Sequence, residues 1–84
     1  MFYVYVLCSG KDGQLYTGCT SDLRNRLSLH NTGKVPSTKD RRPLELIYYE
    51  ACLNEKDAFR REKYLKTTYG KRYLKSRCRN YFTG

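Results

Sequence analysis

Glu62 stands where an acid is costly. In the segment 54–67, Ala58 and Leu65 are seven residues apart and mark the stripe by which a helix would dock. Glu62 falls four residues after the first and three before the second, on that same stripe. An ionised carboxylate on a packing face must be paired or hold a cation. Arg60, Arg61, Lys63 and Lys66 surround it. A salt bridge to one of them is one reading, and a metal ligand facing a cleft is the other. Asp22, Arg26 and His30 form a second group, spaced four apart and so on one helix face. They read either as a solvated network worth a few tenths of a kcal/mol or as a guanidinium whose planar fork is aimed at a phosphate. His30 alone says little, since a histidine at a helix end is often only a dipole partner. Tyr5 and Tyr16 lie on two strand-like segments that would pair in a hairpin. Taken singly, none of these residues argues for an enzyme.

The elements that must position them can be read in order. Residues 2–8, FYVYVLC, are aromatic and β-branched and predict a strand. Its alternation sends Tyr3 and Tyr5 to one face and Val4 and Val6 to the other. The turn SGKDG precedes a returning strand over 14–18. Thr20 or Ser21 can cap a helix over about 21–31, ended by Asn31-Thr32-Gly33. Residues 33–43 are polar, hold both prolines and predict a loop; 44–50, LELIYYE, predict a third strand. Asn54 caps a second helix running to about Thr67. Gly70 is expected to punctuate, and a third helix to run over 71–81 with Leu74, Cys78, Tyr81 and Phe82 on one stripe. The sum is an α+β fold of order β-β-α-β-α-α, a short sheet with helices packed on it, in one domain spanning residues 1–84.

Charge narrows the partners. The net charge is +9, and residues 1–59 hold eight Lys/Arg against seven Asp/Glu while residues 60–84 hold nine against one. The excess therefore sits in the last third, which is the footprint of a polyanion partner such as nucleic acid. A membrane surface is disfavoured, because the aromatics are mainly tyrosines rather than a Trp/Phe/Leu wedge, and no apolar run is long enough to span a bilayer. The four cysteines are at least 11 residues apart and there is one histidine, so no zinc-finger spacing exists. Met1 leads straight into a strand-like segment without a signal-peptide pattern. Reduced cysteines in the cytoplasm are the expectation.

Taken together the singled-out residues resemble the GIY-YIG nuclease superfamily. Tyr3-Val4-Tyr5 resembles the GIY tripeptide and Tyr16-Thr17-Gly18 the YIG tripeptide. Arg26 follows the second tyrosine by ten residues, as the arginine of that family does. TGCTSDLRNRLSLHNTGK, with His30 and Asn31, looks like the same segment of small single-domain members, and FRREKYLK resembles the glutamate helix, supplying Glu62. The likeness covers residues 2 to about 77 and is nearest to small bacterial URI domains and to the N-terminal domain of the excision-repair excinuclease. It implies a three-stranded antiparallel sheet flanked by helices. Two positions depart from the pattern. The asparagine expected after the glutamate helix falls on Ser76, with Asn80 one turn further on. The lysine that follows the YIG glycine in some relatives is Cys19.

The resemblance implies a Mg²⁺-dependent endonuclease that hydrolyses a DNA phosphodiester, structure-selective and linked to repair or recombination. Glu62 would hold Mg²⁺, with Mn²⁺ as a substitute. Tyr5 would act as general base or orient the water, with Tyr16 in the same cluster, Arg26 stabilising the transition state and His30 an alternative base. An unperturbed phenol near pKa 10 is a poor base at neutral pH, so either Arg26 or the metal lowers it or a proton passes through Tyr5 in a relay. A rate rising from neutrality to roughly pH 9 is expected. Arg60, Arg61, Lys63, Lys66, Lys71, Arg72 and Lys75 would hold the DNA backbone with little sequence preference. Tyr69 or Tyr73 would stack on unpaired bases, favouring branched or single-stranded DNA, with RNA not excluded. The competing readings are a catalytically weak basic binding module and a nuclease subunit that needs a protein partner or a second copy of itself.

Overall fold

The computed structural model describes residues 1–84. Three strands form one antiparallel sheet in the order β2-β1-β3: β1 (Phe2–Ser9), β2 (Leu15–Thr20) and β3 (Leu44–Cys52). β1 is the central strand, so it is covered on both faces, which is why Val4, Tyr5, Val6 and Leu7 are all buried despite the alternation. Tyr5 pairs with Gly18 on one side and Tyr49 on the other.

Each face of the sheet has its own core. Val4 and Val6 pack with Ala58 and Leu65 of α2 (Glu55–Leu65) and Leu74 of α3 (Thr68–Arg77). Tyr5, Leu7 and Leu44 pack on the other face with Leu23 and Leu27 of α1 (Leu23–Asn31). Fully burying a leucine such as Leu65 or Leu74 contributes about 1.5–3 kcal/mol. The order β-β-α-β-α-α expected from the sequence is present, followed by one short extra helix, α4 (Arg79–Thr83).

Three boundaries differ from the sequence expectation. The cap of α1 is neither Thr20 nor Ser21 but Asp22, whose carboxylate accepts from the Asn25 N–H at 3.1 Å. Asp22 therefore belongs to the helix start rather than to a face shared with Arg26 and His30. Gly70 does not separate helices; α2 ends at Leu65, Thr67 caps α3 by accepting from the Gly70 N–H at 3.1 Å, and Gly70 lies within α3. A Cβ on Gly70 would stand 2.1 Å from the Tyr64 carbonyl oxygen, so glycine is what allows α3 to begin directly against the end of α2. The expected helix over 71–81 breaks at Cys78, leaving Leu74 buried and Tyr81 and Phe82 exposed on α4.

Segment 33–43 is a pinned strap rather than a free loop. It carries a 3-10 turn at Lys39–Arg41. Ser9 donates its hydroxyl to the Arg41 carbonyl at 2.6 Å, and the Gly10 N–H donates to the Pro43 carbonyl at 2.7 Å. The Asn31 side chain exchanges two hydrogen bonds with the Leu44 backbone, at 3.1 and 3.0 Å. These bonds fix the C-terminal end of the strap, and the Lys34 N–H to Leu29 carbonyl bond at 2.9 Å holds its start against α1.

Candidate active site

The fold brings Tyr5, Tyr16, Arg26 and His30 together at the junction of β1, β2 and α1. β1 places Tyr5 under α1, and the phenol crosses the sheet toward β2 over Gly18. A Cβ at Gly18 would lie 2.5 Å from the Tyr5 Oη, so this glycine is the space the hydroxyl occupies. His30 comes from the last turn of α1 and is fully buried. Its Nε2 lies 2.8 Å from Tyr5 Oη, and its Nδ1 lies 2.7 Å from Thr38 Oγ1 on the strap. The rings of Tyr5 and Tyr16 both meet the imidazole edge-on, at centroid distances of 5.6 and 5.1 Å. His30 alone is weak evidence in the sequence, and in the structure it is the hub of the cluster. Thr38 could not be singled out from sequence: it sits in a polar segment, and its role comes from a contact that local patterning does not encode.

The electrostatics favour neutral groups. Burial, and then the neighbouring Tyr16, push the Tyr5 phenol up to about 12, while Arg26 works in the opposite direction by charge and hydrogen bonding. Arg26 thus reaches the phenol, but it does not bring it below the ordinary value. Burial, reinforced by the Arg26 charge, holds the imidazole of His30 below its usual value. Of the two routes open to a tyrosine base, ionisation is disfavoured and hand-over of the proton to a neutral imidazole has the geometry.

Glu62 lies on α2, across the edge strand from Tyr5. Its side chain is only 18% exposed, and Lys66 one turn on reaches it at 3.1 Å. Burial first, and then the Glu62 charge, raise the Cys19 thiol, and Glu62 is the smallest of the influences that raise the Tyr5 phenol, so the carboxylate lies within electrostatic reach of the cluster without touching it. The partner is the exposed end of a flexible lysine, which can swing away when a cation enters. There is no group of three or more His, Cys, Asp or Glu side chains that could chelate a metal. One carboxylate completed by waters and a phosphate is a donor set that fits Mg²⁺ and does not fit a zinc site. Ser76 and Asn80 line a shallow depression at the α3–α4 junction with Arg77 and Arg79, and neither bonds to Tyr5, Tyr16, Arg26, His30 or Glu62.

The basic residues divide into two sets. Arg60 pairs with Asp57, and Lys66 with Glu62. Arg61 is committed to the fold: it makes a two-pronged pair with Glu50, at 2.9 Å on each prong, and lies 4.7 Å over the Tyr73 ring. Arg61 is therefore removed from the phosphate-binding set. Tyr73 is removed from the base-stacking set, since it is half-buried and bonded to Tyr48 at 3.0 Å. Lys63, Lys71, Arg72 and Lys75 are exposed and form no ion pair. Tyr69 is 69% exposed beneath Arg72. A cleft of about 270 Å³ between Tyr16, Lys66 and Lys71 adjoins a second hollow of about 450 Å³ between Lys71, Lys75 and Phe82, the two sharing Leu15 and Lys71. They lie side by side between β2 and the α2–α3 helices, with Tyr16 on the lining of the first. The largest cleft, about 510 Å³, lies beside α1 between Tyr3, Leu23, Leu27 and Tyr49 and contains none of the predicted site residues.

A β-β-α-β-α-α sheet with paired strand tyrosines, a helix arginine and a helix glutamate defines a class. Residues 1–77 match the model of the GIY-YIG catalytic domain, and the chain belongs to that family. Its relatives include a UPF0213 protein of Streptococcus agalactiae, 48% identical over 66 residues, which make up 76% of this chain and 73% of the relative. A UPF0213 protein of Staphylococcus haemolyticus is 42% identical over 74 residues, 87% of this chain and 89% of the relative. Among solved structures, the solution NMR structure of a UPF0213 protein from Bacillus halodurans superposes with a TM-score of 0.55 at 37% identity, covering 90% of this chain and 84% of that one. No helix is long and apolar enough to cross a membrane.

Proposed function

We propose that this protein is a Mg²⁺-dependent endonuclease that hydrolyses a phosphodiester in branched or single-stranded DNA, of the kind met in repair or recombination. The observation that carries the reading is the hydrogen bond between Tyr5 and the buried neutral His30, set beside Arg26 and opposite Glu62. Hydrolysis requires removing a proton from water, neutralising the phosphate and assisting the leaving oxygen. Tyr5 accepts the proton of the attacking water as its own proton passes to His30 Nε2, so no free phenolate forms. Arg26 faces the developing charge with a planar fork of donors. Glu62 would hold the cation, which when bound supplies charge neutralisation at the phosphate and the leaving oxygen. Tyr16 walls the imidazole and lines the cleft beside Lys71, and Lys71 and Lys75 line the adjoining hollow, where they would meet a DNA backbone. Phosphate contacts of that type read no sequence, which supports selection by DNA shape.

The test is a cleavage panel of branched, nicked, single-stranded and duplex DNA, with RNA alongside, in Mg²⁺, in Mn²⁺ and in chelator. The expected outcome is metal-dependent cutting by the wild type and loss of cutting with retained DNA binding in Glu62→Gln. Binding without cutting on every substrate would return the basic binding module, or a subunit that cuts only with a partner.

A further inference from the structure

We propose that Thr38 is a positioning residue for proton transfer: its hydroxyl fixes the tautomer of His30 that can accept the Tyr5 proton. The proposal rests on the nuclease reading for its consequence, but its structural half stands on the hydrogen-bond geometry alone. His30 and Thr38 are both fully buried, so each of their polar atoms must find its partner within the protein. Two proton arrangements fit the chain Tyr5–His30–Thr38. In one, Tyr5 donates to Nε2, the Nδ1–H donates to Thr38 Oγ1, and Thr38 turns its own hydrogen toward the Val35 carbonyl, 3.5 Å away. Every donor then has an acceptor. In the other, Thr38 donates to Nδ1 and the Nε2–H donates to Tyr5 Oη. The Tyr5 hydrogen is then left over, because the phenol oxygen has no hydrogen-bond partner besides His30, and the neighbouring Arg26 is only a donor. The first arrangement is the satisfied one, and it leaves Nε2 bare toward the phenol.

That arrangement is also the productive one. When the proton of the attacking water moves to Tyr5 and the Tyr5 proton moves to Nε2, His30 becomes an imidazolium with two N–H groups. One faces Tyr5, and the other already has Thr38 as its acceptor. The charged and titratable groups around the imidazole are Tyr5 from β1, Tyr16 from β2 and Arg26 from its own helix, with Glu62 of α2 acting on Tyr5. Tyr5 is bonded at Nε2 and Thr38 Oγ1 is the one group bonded at Nδ1, so Thr38 holds that proton in place. The strap exists in the right position because Ser9, Gly10 and Asn31 tie its C-terminal end to the sheet and to α1. Its own 3-10 turn holds Thr38 by the Arg41 N–H to Thr38 carbonyl bond at 2.9 Å.

His30 is the only histidine in the chain, so ¹⁵N-histidine labelling gives one imidazole to observe. Above pH 7, without DNA or metal, the wild-type protein is expected to show Nδ1 protonated and Nε2 bare. Thr38→Val keeps the shape and removes the acceptor. It is expected to shift the imidazole toward the Nε2–H tautomer and to lower single-turnover cleavage about 10- to 100-fold. Thr38→Ser returns the hydroxyl and is expected to restore both. A wild-type imidazole protonated at Nε2 overturns the proposal without any variant. So does a folded Thr38→Val with unchanged tautomer and rate, or a folded Thr38→Ser that fails to restore them. The tautomer decides the role of Thr38. Absence of cleavage by the wild type, with the tautomer as expected, counts against the nuclease reading instead.

Discussion

The two faces of the sheet carry nearly the same residue types and use them for opposite ends. On the α2–α3 face, Tyr48 donates to Glu50 at 2.8 Å, meets Tyr73 at 3.0 Å, and Glu50 is gripped twice by Arg61. On the α1 face, Tyr5 meets His30, His30 meets Thr38, and Arg26 stands beside the phenol. Both networks are half-buried or buried and both are built on a strand tyrosine. The first is closed. Its acid and its guanidinium satisfy one another, which holds the Glu50 carboxyl below the usual range through Arg61 and Tyr48 despite burial, and raises Arg61. The second is open: its one cation, Arg26, has no carboxylate partner, and the nearby acid, Glu62, is tied only to a mobile lysine. A network whose charges cancel internally stabilises the fold. A network with an unpaired guanidinium and a loosely held carboxylate suits the anion and the cation of the proposed reaction.

The contrast can be broken by substitution. Tyr5→Phe removes the hydroxyl that receives and passes the proton, and is expected to slow single-turnover cleavage by roughly 100- to 10,000-fold, with about 1–3 kcal/mol of stability lost because His30 Nε2 is left without its partner. An equally fast Tyr5→Phe enzyme would make this face mere packing. Gly18→Ala places a methyl in the position of the phenol hydroxyl, 2.5 Å from it. Relieving that contact moves the reacting group by about 1 Å, which is expected to cost about 100-fold in rate, read against DNA affinity, which should hold. Arg61→Ala leaves the half-buried Glu50 carboxylate without its cation on the other face, with only the Tyr48 hydroxyl still bonded to it. Its expected cost is stability, about 2 kcal/mol, or a thermal midpoint lower by about 10 °C in a domain of this size. The rate per folded molecule should change less than twofold. If Arg61→Ala lost cutting while remaining folded, the division between the faces would be wrong.

Much of this was legible in the residues. The apolar run of β1, the Asp-Gly turn, the Asn54 cap and the acid on the α2 stripe all obey local rules, and the family resemblance singles out Tyr5, Tyr16, Arg26 and Glu62. What was not legible depends on contacts distant in sequence. Arg61 and Lys63 are alike on paper, and only Glu50, eleven residues back on β3, assigns the first to the fold. Gly70 reads as a break until the Tyr64 carbonyl is seen against it. Thr38 is one of several polar residues in a segment without periodicity, and His30 looks like a helix-end histidine until the strap closes over it. The pH expectation changes for the same reason. A tyrosine base read from sequence suggests a rate climbing to pH 9, whereas a phenol at about 12 joined to a neutral imidazole places the control on His30.

The single-turnover rate of Mg²⁺-dependent cleavage measured from pH 5 to 9 tests that claim directly. His30 must be neutral to accept the proton, and its value inside the fold lies below the ordinary 6.5. The rate is therefore expected to fall as pH drops through the acid range and to stay level from about 7 to 9. A rate that rises about tenfold per pH unit up to 9, with no loss in acid that follows His30, would contradict the relay and return the chemistry to an ionised base.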